Sequence, residues 1–423
     1  MTVKLAVVGG GSTYTPELVE GLAARGARLP IDELVLQDID AERREVVGGL
    51  AARMLDAMGW PGRLTVTGDL DAALDGAGFV LIQLRVGGQA ARRVDETLPL
   101  RFGTIGQETT GAGGFAKALR TVPVVLDIAE RVARRGAPDA WIVDFTNPVG
   151  IVTQALLDEG HRAIGLCNVA IGLQRRFAAH FGVDPERVEL DHVGLNHLSW
   201  ERAVRVDGKD RLPELLDGGA DWIGEMMGIP ADLIRSLRSI PSYYLKYYYA
   251  FEAVLADQMG GHTRADEVIE IEAQLLDLYR DPALHSKPAL LENRGGAYYS
   301  EAAAQLVASL HDGRGDVQVV DVRNDGALPG LPDDAVVEIP ARIDRDGAHP
   351  LSLEPLAPEY LGLVQQVKAY ERLAIAAAMS GSRDAARIAL LANPLVGRWS
   401  TATSLVDAII EANGPYLPKF YPG

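Results

Sequence analysis

Cys167 is the only cysteine among 423 residues, and the run AIGLCNVAIG sets it at the end of a strand-like stretch. Further on, His197 sits in a short polar and glycine-containing setting, VGLNHLSW. The chain opens with a nucleotide-type loop, VVGGGSTYTPEL. A soft sulfur ligand and an imidazole are metal-ligand types, and hydride transfer by itself needs no such pair. Taken singly, each residue has a plainer reading. A free cysteine is more commonly a small buried hydrophobe, and a lone histidine more commonly structural. His192, five residues before His197 in DHVGLNH, is a rival ligand.

Gly9, Gly10, Gly11 and Ser12 are the candidate cofactor contacts, between a first strand and a helix whose first turn holds Pro16 and Glu17. Glycines there let backbone N–H groups approach a pyrophosphate, whose charge a helix N-terminus stabilises. Asp38 closes the second apolar run, LVLQDID, where a carboxylate can bond a ribose hydroxyl and repel a 2′-phosphate. That favours NAD over NADP. Arg43 and Arg44 pull the other way, because either can serve a 2′-phosphate. The loop departs from G-x-G-x-x-G, with Tyr14 in the third glycine's place and Asp38 later than usual.

The elements that must position these residues are read from periodicity. Short apolar runs at residues 4–8, 33–37, 64–67, 79–84, 141–145 and 163–166 alternate with amphipathic stretches at 17–25, 41–58 and 122–134. Buried strands separated by helices predict an α/β fold, a Rossmann-like doubly wound parallel sheet. Beyond Asn168 the pattern changes. Residues 187–206 alternate like antiparallel strands, 221–278 are mostly helical, 317–322 and 336–340 are strand-like, and 358–413 are alanine-rich and helical. The expected division is a dinucleotide-binding domain at 1–168 and a mixed α+β domain at 169–423, with no clean linker and the site between them. The expected architecture is like that of lactate and malate dehydrogenases.

The net charge of −17 disfavours a nucleic-acid partner. An anionic substrate must then be held by a local arginine cluster. One cysteine allows no internal disulfide, and no run approaches a membrane span of about 18–20 apolar residues. The expected setting is cytoplasmic.

Several blocks recur together: GGGSTYTPEL, RVGGQAARRVDE, GQETTGAGGF, FTNPVG, CNVAIG, GLNHLSW, YLKYY and HTRADEV. In this order the chain resembles glycoside hydrolase family 4. That family is NAD-dependent and departs from two-carboxylate glycoside hydrolysis. The resemblance implies that NAD+ takes hydride from the sugar C3, which acidifies the C2 proton. A base removes that proton, the aglycone leaves C1, water adds, and the hydride returns.

The resemblance also assigns residues. It implies Cys167 and His197 as ligands of a divalent metal, usually Mn2+, with sugar hydroxyls completing the shell. Tyr244 matches the base. Tyr247 and Tyr248 compete with it, because on a helix they would share its face. Glu108 matches an acidic position that tunes the tyrosine, and Arg92, Asn147 and Arg264 match substrate recognition. Asn168 stands where family members acting on α-linked phosphosugars commonly carry an acidic aspartate. The resemblance therefore implies a 6-phospho-β-glucosidase working on, for example, cellobiose 6-phosphate, as a homodimer or homotetramer. The rival expectations are another family 4 specificity, α-linked sugars included, and a lactate/malate-type dehydrogenase.

Overall fold

The computed structural model describes residues 3–261, 263–296 and 298–421; His262, in the block HTRADEV, lies outside the described residues. The apolar runs of the first part form β1 (Val3–Val8), β2 (Ile31–Gln37), β3 (Arg63–Thr67), β4 (Phe79–Ile82), β5 (Trp141–Asp144) and β6 (Ala163–Gly165). They are parallel in the order β3-β2-β1-β4-β5-β6, so the direction of winding reverses between β1 and β4. Every residue of β4 is buried, which is why it reads as a continuous apolar run.

The helix Gly111–Arg135 is much longer than the expected 122–134. Glycines at its start and Pro123 within it mask the helical signal. All residues from Gly111 to Val122 are buried, so tertiary packing outweighs weak local propensity there.

β7 (Val188–Leu195) and β8 (Leu198–Val206) form an antiparallel hairpin, edged by the two-residue strands β9 (Lys209–Asp210) and β10 (Ile240–Pro241). The chain then returns to the first sheet. β11 (Asp316–Arg323) pairs antiparallel with β6, followed outward by β12 (Val336–Asp344) and β13 (Gly347–Pro350), which makes nine strands. One sheet and one apolar core thus cross residue 168. The helices Pro358–Ser380, Arg383–Ala392 and Trp399–Ala412 complete the chain. Its end is bolted to the helix Gly88–Thr97 by buried Arg120, which donates to Asp95 at 2.6 and 2.9 Å and to Asn413 at 2.7 Å.

Gly165 sits at the β6–β11 join, two residues before Cys167. A methyl group there would lie 2.2 Å from Thr153 Oγ1 and 2.8 Å from Asp321 Cβ. Gly165→Ala is therefore expected to cost about 1–3 kcal/mol of stability, read from urea unfolding. A change under about 0.5 kcal/mol, the size typical of a surface substitution, would show the join to be loose.

Candidate active site

The glycine loop leaves β1 with Gly9 at φ 88°, a left-handed conformation, and a side chain there would strike the Gln83 carbonyl at 2.7 Å. Gly9 and Gly10 both donate to the Gln37 carbonyl, and Ser12 Oγ accepts from the Tyr14 N–H at 3.2 Å. Asp38 is where the sequence places it, just past β2. Its Oδ2 accepts from Gly11 N–H at 2.8 Å and its Oδ1 from Asp40 N–H at 3.0 Å. Arg43 braces the loop, donating to the Gly11 carbonyl at 3.0 Å and to Glu272 at 3.3 Å. Tyr14 takes the third glycine's place because its hydroxyl donates to the Gly296 carbonyl and its ring joins a small cluster with Leu50, Leu275 and Tyr279.

Cys167 follows β6 at the carboxyl end of the sheet, where open α/β folds bind ligands. It is buried, with the Tyr299 hydroxyl 4.0 Å from its sulfur. Burial, with the charge of Glu338 adding, pushes its thiol well above the ordinary range. His197 arrives from the other half, at the tip of the β7–β8 hairpin. Only Asn196 and His197 separate the two strands. His197 has φ 62°, a left-handed geometry costing about 1–2 kcal/mol for a side-chain-bearing residue. Both of its ring nitrogens are buried without a hydrogen-bond partner among the described residues. Burial, reinforced by Lys117, lowers its pKa to about 3, so the imidazole is neutral and its lone pair free.

Tyr244 packs on His197. The two rings stack, centroids 3.6 Å apart and planes 15° from parallel, and Cys167 is among the groups acting electrostatically on the Tyr244 phenol. Burial holds that phenol well above 10, so it needs added positive charge to ionise near neutrality. Residues 243–249 are not one helix: a 3₁₀ turn, Tyr243–Leu245, precedes the short helix Lys246–Tyr249. The rival rings have different surroundings. Tyr247 is 6.3 Å from Tyr244 and feels Glu96, Glu108 and Arg92, whereas Tyr248 lines a small cavity of about 30 Å³ with His197, Tyr370 and Glu371.

Glu108 is buried yet ionised. Burial alone would raise its pKa, but Arg85, Lys117 and Arg92 together drive it well below the usual carboxylate range. Arg85 pairs with it closely, Lys117 Nζ lies at 2.7 Å and Arg92 Nε at 3.3 Å. Burial and Arg85 lower Lys117 to about 7. Arg92 also binds Glu96 at 2.8 Å, whereas its neighbour Arg93 is exposed and reaches Asp266. Asn147 follows β5 beside Tyr299, and its Oδ1 has no hydrogen-bond partner among the described residues. Asn168 begins the helix Val169–Phe181, its carbonyl accepting from Gly172.

Arg264 is not gathered into this cluster. It opens the helix Arg264–Tyr279, half-exposed, with its guanidinium on Glu267 and the Asn293 carbonyl. Arg294 is the arginine found inside. It donates to Thr13 Oγ1 at 2.7 Å and Glu272 at 2.9 Å, and Arg85 and Arg92 are near enough to help burial lower its pKa. Arg85, Lys117, Tyr299 and Arg294 escaped sequence reasoning. Lys117 alone carried a local signal, a lysine in the apolar run GFAKAL. The rival ligand His192 is excluded by its partners: Nδ1 lies 2.6 Å from Glu201 and Nε2 2.8 Å from Glu338.

A parallel sheet with a glycine loop after its first strand and a change of winding direction between β1 and β4 has the architecture of a dinucleotide-binding enzyme. Family models settle the family. Residues 4–183 match family 4 glycosyl hydrolase and residues 192–396 match the family 4 glycosyl hydrolase C-terminal domain, so the chain belongs to family 4. It is 41% identical to the "Probable 6-phospho-beta-glucosidase" of Bacillus subtilis, over 99% of this chain and 98% of that one. Identity to the 6-phospho-beta-glucosidase of Escherichia coli is 38%, over 99% and 97%. A 6-phospho-beta glucosidase structure from Thermotoga maritima with manganese, NAD+ and glucose-6-phosphate superposes with TM-score 0.91 at 36% identity, covering 98% of this chain and 99% of that one. A phospho-alpha-glucosidase of Clostridium acetobutylicum is 29% identical, over 99% of both chains. Malate dehydrogenase from Plasmodium falciparum shares the fold, at TM-score 0.55 and 15% identity over 90% and 99%.

The two buried histidines should titrate far apart. Burial opposes charge on His192, but Glu201 and Glu338 override it and raise its pKa to about 10. Its stabilising charge is therefore complete below about pH 6.5, the value of a free imidazole, and is lost as pH rises through about 10. Nitrogen-15 spectra of histidine-labelled protein should show a doubly protonated His192 ring and a neutral His197 ring at about pH 7. A neutral His192 there would refute the carboxylate sandwich.

Proposed function

We propose that this chain hydrolyses 6-phospho-β-glucosides, using NAD+ and a divalent cation such as Mn2+. The observation that carries the reading is the Tyr244 ring stacked on the unpartnered His197 imidazole, with Cys167 among the groups acting on the Tyr244 phenol. The residues fit both groups. The glycine loop turns at Gly9 in a left-handed conformation and leads into the helix Thr15–Ala23, whose N-terminus suits a pyrophosphate, and His197 offers buried nitrogen lone pairs without a partner among the described residues. Among the described residues no third His, Cys, Asp or Glu joins the pair, which suits a site completed by sugar hydroxyls. When bound, the two groups supply a hydride acceptor for C3 and a Lewis acid for the resulting ketone.

The protein's own part is proton handling and positioning. Tyr244 takes the C2 proton, and Glu108 tunes the site by gathering Arg85, Arg92 and Lys117, cations of the kind that favour an ionised phenol. Arg92 and Asn147 bind sugar hydroxyls or phosphate. Asp38, Arg43, Ser12, Gly10 and Gly11 shape the cofactor loop. Asn168 cannot donate a proton as a carboxylic acid does, which accords with a β-directed enzyme. Higher identity to 6-phospho-β-glucosidases, 41% and 38%, than to the phospho-α-glucosidase, 29%, supports the same choice. A cytoplasmic setting fits a phosphorylated substrate, and no helix among the described residues is long and apolar enough to cross a membrane.

Turnover of 4-nitrophenyl β-glucoside 6-phosphate is expected only with both NAD+ and metal, without net NADH, and with deuterium entering C2 in heavy water. Activity surviving removal of both would overturn the reading, as would preference for the α-anomer. Tyr244→Phe should lower kcat by about 10²–10⁴-fold and abolish C2 exchange. Tyr247→Phe and Tyr248→Phe should retain exchange; loss of exchange confined to either would reassign the base.

A further inference from the structure

Cys167 and His197 come from different sheets, and something must set their separation. The hairpin tip that carries His197 is held by a side chain on β12. Glu338 is 1% exposed, and each of its oxygens has one partner: Oε1 lies 2.8 Å from His192 Nε2, and Oε2 accepts from Asn196 Nδ2 at 2.8 Å. Asn196 is the residue immediately before His197, so Glu338 grips the hairpin both at its tip and on its β7 strand. His192 is gripped in turn by Glu201 across the hairpin, in register with it on β8.

The other end of the connection leads to the cysteine. Glu338 on β12 is the register partner of Asp321 on β11, and Asp321 is the register partner of Gly165 on β6, two residues before Cys167. A single transverse row, Gly165–Asp321–Glu338–Asn196, therefore links the two residues adjoining the site. Neither sheet alone fixes that geometry, because the strands β7 and β8 lie outside the nine-stranded sheet. The left-handed backbone of His197 adds a demand, since a tip in that conformation persists only when its surroundings hold it.

We propose that Glu338 is a positioning residue: through Asn196 and His192 it fixes the imidazole of His197 relative to the sulfur of Cys167, and so sets the affinity of the site for a divalent cation. The proposal rests on the reading of Cys167 and His197 as the ligand pair. Groups that hold a metal's ligands in place typically account for about 10–100-fold in metal affinity.

The test is Mn2+ binding to the full chain, followed by loss of the free-ion electron paramagnetic resonance signal with NAD+ and glucose 6-phosphate present. NAD+ affinity is measured separately by fluorescence. Glu338→Ala and Asn196→Ala should each weaken Mn2+ binding by about 10–100-fold while leaving NAD+ affinity within about twofold. The double variant should be little worse than either single one, because both remove the same link. Glu338→Gln keeps the shape and can still accept from Asn196, so it should restore most of the affinity. Unchanged Mn2+ binding in Asn196→Ala overturns the proposal, as does a parallel fall in NAD+ affinity or a glutamine variant as weak as the alanine one. If Glu338→Ala does not fold, Asn196→Ala decides alone. Cys167→Ser and His197→Ala are run alongside. If these two keep Mn2+ affinity, the ligand reading itself fails; if they lose it while Asn196→Ala and Glu338→Ala do not, only the role of Glu338 fails.

Discussion

The antiparallel ladder between β6 and β11 is the interaction on which the rest of the molecule depends. β6 has three residues and would otherwise leave the parallel sheet with a short unpaired edge. Pairing with β11 closes that edge and, in the same step, brings the second half of the chain to the carboxyl end of the first. The site exists because of this join. Cys167 leaves β6 there, and the β7–β8 hairpin packs against β12, the strand beyond β11. Close fit at Gly165 shows how little slack the junction has.

Electrostatics then turns a crowded crevice into a recognition surface. The chain as a whole carries −17, yet Arg85, Arg92, Lys117 and Arg294 converge beside the glycine loop. Such cations are tolerated because three buried carboxylates are shared among them: Glu108 holds Arg85, Arg92 and Lys117, Glu96 also holds Arg92, and Glu272 holds Arg43 and Arg294. Removing water from charges is costly unless they are paired. Here the pairing is incomplete by design of number, since the cations outnumber the carboxylates that bind them. The remaining positive potential suits an anionic group entering against the global field.

Much of the sheet was legible because buried strands in a doubly wound fold are short continuous apolar runs, as in β4 and β5. Less legible was whatever depends on distant partners. The start of the Gly111–Arg135 helix hides behind glycines, and its helicity comes from packing. Cys167 and His197 have no local signal that separates a ligand from a core residue, and only the ordered set of blocks singled them out. His192 looked equivalent to His197 in sequence. The two differ because Glu201 and Glu338 reach one ring and not the other, and Glu338 lies 146 residues away. Arg264 was favoured by its block, whereas the inward arginine, Arg294, sits in a segment with little periodicity. Tyr244 differs from Tyr247 and Tyr248 in stacking on His197, a contact that spans 47 residues of sequence and leaves no local trace.

The Glu201–His192–Glu338 sandwich has a consequence for how this chain can change over generations. Three strands each contribute one member, and all three side chains are buried. Loss of the histidine strands two buried carboxylates, at a cost of about 3–5 kcal/mol for a broken buried pair. Loss of one carboxylate is milder, because the other still holds the ring. Change is therefore expected to enter the trio through a carboxylate, with a glutamine of the same shape in its place, before the histidine itself can be replaced.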